Sequence, residues 1–94
     1  MYMLRIEHPI VNFEDWHRAF ETDKVGRAKA KVRRYQILRP VEDEEYVMID
    51  LEFDSLEQAE ALLAAMRNVW GRVEGTFMTN AQTRIVEVVE TWLY

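Results

Sequence analysis

Strict alternation of apolar and polar positions organises this chain. In EEYVMIDLEF, residues 44 to 53, Val47, Ile49, Leu51 and Phe53 share one side of an extended segment, while Tyr46, Met48, Asp50 and Glu52 share the other. The first side is a core face; the second mixes a tyrosine and a methionine with two carboxylates. The same period governs YMLRIEHP, where Tyr2, Leu4, Ile6 and His8 alternate with Met3, Arg5 and Glu7 until Pro9, which has no N–H to donate, ends the strand. A helical period follows. Asn12 is a good N-cap, Asp15 sits at N3 where an acid suits the helix dipole, and Val11 is placed to staple onto Trp16. Phe13, Trp16, His17 and Phe20 then predict an inward aromatic stripe on a first helix running to near Asp23, with Gly26 as its stop.

VRRYQILRP reads as a second strand, Pro40 and the acids after it as a hairpin connection, and YVMIDLEF as the third strand. Ser55 and Gln58 form a capping box, and Leu56, Ala59, Leu62, Leu63 and Met66 mark the inward stripe of a second helix ending around Asn68. VWGRVEGTFMTNAQ is rich in small and turn residues, and TRIVEVVETWLY is strand-like to nearly its end. The order strand, helix, strand, strand, helix, strand predicts an α+β fold: a ferredoxin-like βαββαβ unit over residues 1–94, with a four-stranded antiparallel sheet covered by both helices on one face.

That arrangement leaves a face without helices. Met3, Arg5 and Glu7 of the first strand lie on it beside Met48, Asp50 and Glu52 of the third, so that Arg5 is within reach of Asp50 or Glu52. The second strand has two admissible phases. One puts Arg33, Tyr35 and Ile37 on the open face, the other Arg34 and Gln36; the first is preferred because it places a tyrosine beside Met48 and Asp50. The last strand is apolar on both sides, with Val86 and Val88 on one and Ile85 and Val89 on the other. A mixed face of this kind is economically covered by a second copy, giving a two-fold dimer whose sheets enclose a partly polar interior, with Trp92, Leu93 and Tyr94 as an arm onto the partner.

Composition narrows the functional classes. The 94 residues carry a net charge of −5, which argues against a nucleic-acid partner because phosphate binding needs clustered positive charge. Positive charge is nonetheless concentrated locally. Lys24, Arg27, Lys29, Lys31, Arg33 and Arg34 fall in a stretch without acids, opposite in character to the run Glu42 to Glu45; such runs are solvated loops or attract an anionic ligand or a partner's acidic patch. The absence of cysteine removes disulfides, thiol catalysis and thiolate metal sites, and with no membrane-length apolar run it leads to the expectation of a cytoplasmic protein. No serine–histidine–acid arrangement, phosphate loop or zinc spacing occurs, and GRVEG is too short and wrongly placed for a nucleotide loop. Two lone histidines, His8 and His17, make no metal signature.

The chain resembles the dimeric α+β barrel proteins, the superfamily that includes the antibiotic biosynthesis monooxygenases. The resemblance covers nearly the whole chain through NFEDWHRAF as first helix, YVMIDLEFDSLEQAEALLAAM as third strand running into second helix, and the tryptophan-containing segment before the last strand. It implies a homodimer and a range of activities: cofactor-independent oxygenases, haem-degrading enzymes, isomerases, peroxidases and small dimers with no assigned activity. Haem degraders of this type use a histidine in the second helix region, and none occurs between Ser55 and Trp70, so no cofactor is expected. Cofactor-independent oxygenases line a polar cavity with tryptophan, asparagine, tyrosine and arginine, types supplied here by Trp70, Asn68, Tyr35 and Arg84.

Two readings follow. In the first, the dimer encloses a cavity for a small aromatic or anionic molecule, with Asp50 and Tyr35 as catalytic candidates and Arg5, Met48, Trp70, Arg84 and Asn68 as ligand-binding ones; the chemistry is cofactor-free oxidation or proton transfer. A carboxylate enclosed away from water and left unpaired would make Asp50 a general base. In the second, the open face exists only to dimerise, the Arg5–Asp50 pair is structural, and the protein is a non-catalytic interaction module.

Overall fold

Six elements follow one another as expected: β1 (Tyr2–Pro9), α1 (Phe13–Glu21), β2 (Arg34–Leu38), β3 (Tyr46–Phe53), α2 (Leu56–Val73) and β4 (Gln82–Glu87). The structure, a computed structural model, describes residues 1–22, 26–73 and 81–94, the side chains of 69–73 excepted. The sheet order is β2-β3-β1-β4 with every neighbouring pair antiparallel. This is the ferredoxin-like βαββαβ fold with its four-stranded antiparallel sheet.

Period-two patterning decides which side of the sheet the helices cover. Leu4, Ile6, Val47, Leu51 and Phe53 are fully buried and Ile49 nearly so, forming one cluster with Trp16 of α1 and with Ala59, Leu62, Leu63 and Met66 of α2. Fully burying each such large side chain contributes about 1.5–3 kcal/mol. His8 shares this face and is completely buried, its ring 6.0 Å from that of Trp16. The α1 stripe is stacked as predicted: Trp16 lies 5.2 Å from Phe20 and 5.8 Å from Phe13, and the half-buried His17 stacks on Phe13 at 5.6 Å. His17 is therefore a boundary residue, its Nδ1 3.1 Å from Glu21 Oε1.

The helix starts obey their caps, with some corrections. Asn12 Oδ1 accepts from the Asp15 backbone N–H at 2.9 Å. Val11 is almost fully exposed, so the expected staple onto Trp16 is not made. Ser55 Oγ accepts from Gln58 N–H at 3.3 Å, but Gln58 Oε1 has no hydrogen-bond partner among the described residues, so only half of the capping box forms. Leu56, expected inward, is 40% exposed; the stripe begins at Ala59.

The helix ends moved more. α1 stops at Glu21, where the Thr22 backbone N–H and hydroxyl both turn back to the Ala19 carbonyl. Gly26 is not its stop. With φ of 68° it instead opens a turn whose Ala30 N–H donates to the Gly26 carbonyl, a backbone conformation glycine adopts without steric cost. α2 continues past Asn68 to Val73, because Gly71 inside a helix costs only about 1 kcal/mol relative to alanine and need not end it. β4 ends at Glu87; one further bond, Val88 N–H to the Met1 carbonyl, carries pairing past it, and the residues after it have no regular structure.

Candidate functional site

The open face is built by two registers. β1 and β3 align Arg5 with Asp50, Met3 with Glu52 and Glu7 with Met48; β1 and β4 align Arg5 with Arg84, Met3 with Val86 and Glu7 with Gln82. β2 adds Gln36 opposite Asp50, Arg34 opposite Glu52 and Leu38 opposite Met48. Directly opposed side chains on one face of such a sheet have Cβ atoms about 4.5–5.5 Å apart. Gln36, Asp50, Arg5 and Arg84 therefore form one polar row running across all four strands.

The centre of that row is an ion pair with matched geometry. Arg5 Nε donates to Asp50 Oδ1 at 2.7 Å, and its Nη2 donates to Oδ2 at 2.8 Å. The fork meets both carboxylate oxygens, an arrangement that is stronger and more directional than a single contact. Asp50 is 6% exposed although no described element covers its face, because the Arg5 side chain lies over it while remaining 46% exposed itself. The hydrogen bonds to Asp50 and its negative charge hold the Arg5 guanidinium above its ordinary range. Both Asp50 oxygens therefore already accept from Arg5.

Two further polar contacts flank the row. Arg34 Nε donates to Glu52 Oε2 at 2.9 Å, and the Tyr46 hydroxyl donates to Glu7 Oε1 at 2.7 Å. The bond to Glu7, with burial and the carboxylate charge behind it, pushes the Tyr46 hydroxyl above its usual range. A recess of about 290 Å³ opens among Arg5, Glu7, Gln82, Thr83 and Arg84. Arg84 forms no ion pair among the described residues.

Of the residues singled out from sequence, Arg5, Met48, Asp50 and Arg84 come together on this face. Tyr35 does not. The phase preferred for β2 is corrected: Tyr35 pairs with Leu51 and Ile37 with Ile49, which turns both toward the helix layer and leaves Arg34, Gln36 and Leu38 on the open face. The physical reason is apolar. Ile37 packs against the core, and the Tyr35 ring meets Phe20 edge-on at 5.2 Å, contacts that the other phase would forfeit. Arg27 joins them, its guanidinium 3.9 Å from the Phe20 ring centre, so one member of the basic segment serves to cap an aromatic pair. Asn68 is likewise displaced: it is exposed on α2, whose buried stripe packs on the opposite side of the sheet. Trp70 belongs to α2, and its side chain lies outside the described residues.

Sequence reasoning placed Glu7 on the open face without giving it a role, and it missed the Tyr46 contact. The signal was available in principle. Tyr46 shares the phase of Asp50, and the Arg5–Asp50 register brings Pro9 opposite Tyr46 and Glu7 one diagonal away. Neither histidine reaches this face. His8 is sealed under the helices with Nδ1 2.9 Å from the Pro9 carbonyl oxygen, and burial lowers its tendency to take up a proton; His17 is on α1. A haem ligated by histidine does not fit these residues. Among the described residues no cluster of three metal-binding side chains occurs, and no helix is long and apolar enough to cross a membrane.

Solved structures share this fold closely. The chain superimposes on SnoaB, a cofactor-independent oxygenase from Streptomyces nogalater, with a TM-score of 0.76, 10% identity, and coverage of 96% of this chain and 94% of that one. A dimeric ferredoxin-like protein from an uncultured marine organism gives 0.69 at 13% identity, covering 99% and 98%. MhuD, a heme-degrader from Mycobacterium tuberculosis solved with two hemes bound in its active site, gives 0.67 at 21% identity, covering 96% and 98%. No family model matches the sequence, and no curated protein matches it. The neighbours are thus antibiotic biosynthesis monooxygenases, dimeric ferredoxin-like proteins and heme-degraders, alike in fold and distant in sequence.

Proposed function

We propose that this chain forms a homodimer through its open sheet face and C-terminal segment, and that the enclosed space binds a small aromatic or anionic molecule and oxidises it without a cofactor. The observation that carries the reading is the polar row itself. Asp50 is buried at the centre of a face that its own helices leave bare, bordered by Met3, Met48 and Val86, which gain from removal from water. The C-terminal segment supports it: Val89, Trp92, Leu93 and Tyr94 are 73% exposed or more among the described residues, a concentration of apolar surface. Dimeric neighbours of the same fold agree with this assembly.

A thermal-shift screen with small aromatic carboxylates and hydroquinones tests the binding. A ligand at one hundred times its Kd stabilises the folded state by about 2.7 kcal/mol. The reading expects a shift that Arg84→Gln or Arg5→Ala diminishes, together with oxygen consumption by the hits. A flat response across the screen would leave the protein as a dimerisation module, a reading favoured by one specific observation: both oxygens of Asp50 are already occupied by Arg5.

A further inference from the structure

Asp50 is held at both oxygens by Arg5, whereas a second carboxylate of the face lines the recess beside β4 with one oxygen unbonded among the described residues. Glu7 lines that recess, with Oε1 held by the Tyr46 hydroxyl at 2.7 Å, while Oε2 accepts no hydrogen bond among the described residues. Gln82 stands directly opposite Glu7, and Arg84 is one step along β4, on the diagonal. Diagonal neighbours on one sheet face are about 7–8 Å apart between Cα atoms. A carboxylate with one anchored and one open oxygen thus shares a recess of about 290 Å³ with Arg84, which forms no ion pair among the described residues. The other carboxylates of the face, Glu52 paired with Arg34 and Asp50 paired with Arg5, do not line this recess.

We propose that Glu7 is the base of this site and Arg84 its anion anchor, and that the ligand is an enolisable carboxylate. This rests on the open face binding a small molecule and narrows that molecule's class. In the step, the ionised Glu7 takes a proton from the carbon next to the ligand's carbonyl. The C–H electron pair becomes the enolate C=C bond, the carbonyl π pair moves onto its oxygen, and Glu7 becomes the neutral acid. The Arg84 fork spans the carboxylate and the adjacent enolate oxygen, a planar pair of acceptors that suits a guanidinium. Tyr46 is a positioning residue, holding Oε1 of the carboxylate from the β3 side of β1. Return of the proton to the same carbon completes an exchange that needs no oxidant.

Phenylpyruvate is a suitable probe, since its benzylic hydrogens exchange with deuterium oxide at a rate that NMR follows while its binding is measured separately by calorimetry. Wild-type dimer is expected to bind it and to accelerate exchange. Glu7→Gln, which keeps an acceptor for Tyr46, should lower the exchange rate by about 10²–10⁴-fold and leave Kd nearly unchanged. Glu7→Asp should recover part of the rate, which a merely misfolded variant could not. Arg84→Gln should raise Kd by about tenfold or more. Exchange that survives Glu7→Gln and is abolished by Asp50→Asn would overturn the assignment of the base. Binding without exchange by the wild type would overturn this inference and leave the ligand-binding reading standing; absence of binding would overturn both.

Discussion

The two faces of one sheet follow different rules. On the helix side, Leu4, Ile6, Val47, Leu51 and Phe53 are fully buried, apolar and interchangeable in kind; their positions follow from alternation alone. On the other, polar groups find their partners on neighbouring strands, Arg5 on Asp50, Arg34 on Glu52 and Tyr46 on Glu7, with Met3 and Met48 set among them. The first face is held by surface removed from water, which has no direction. The second is held by directional contacts that specify register and cost free energy when half of a pair is lost. The comparison teaches that the burial of Asp50 on the open side is local, created by Arg5 lying over it.

Substitutions should separate the faces by size of effect. Phe53→Ala, which empties a fully buried site, is expected to destabilise by about 3–5 kcal/mol in chemical denaturation. Arg5→Ala comes next, at about 1.5–3 kcal/mol, because it removes both charge-assisted hydrogen bonds to Asp50. A loss for Arg5→Ala as great as that for Phe53→Ala would mean the row is as much a core as the other face. Arg34→Gln removes a more exposed pair and should cost about 0.2–1 kcal/mol, falling further in high salt.

The helix face has its own exception in His8. Burial depresses its protonation in the folded protein, whereas the unfolded imidazole titrates near its ordinary pKa of about 6.5. Between the folded and unfolded values the unfolded chain holds more protons, so stability present above about pH 6.5 is lost as pH falls, by at most about 1.4 kcal/mol per pH unit for this one group. Stability measured from pH 7.5 to 5 should therefore decline, and His8→Gln should flatten that decline. An unchanged slope in the variant would assign the pH response to the carboxylates.

The helix face was legible in the sequence because its rule is alternation plus helical spacing, and one residue's place does not depend on another strand's register. The Arg5–Asp50 pair was legible too, since the fold order makes β1 and β3 neighbours and both residues fall on the open phase. Tyr35 was not, because β2 is a five-residue edge strand after a long connection, where the period permits two phases and the choice lies with Ile37 and Phe20. Glu7 was hidden for a different reason. Its significance appears only once Arg5 is seen to occupy both oxygens of Asp50, a fact of side-chain geometry rather than of spacing.

Sedimentation equilibrium of the purified chain at micromolar concentration tests the central claim, that a second copy covers the open face. The account predicts a species of twice the 11.3 kDa chain mass, weakened by removal of residues 89–94 and by charge reversal at Arg84. A single species at 11.3 kDa across that concentration range would contradict it.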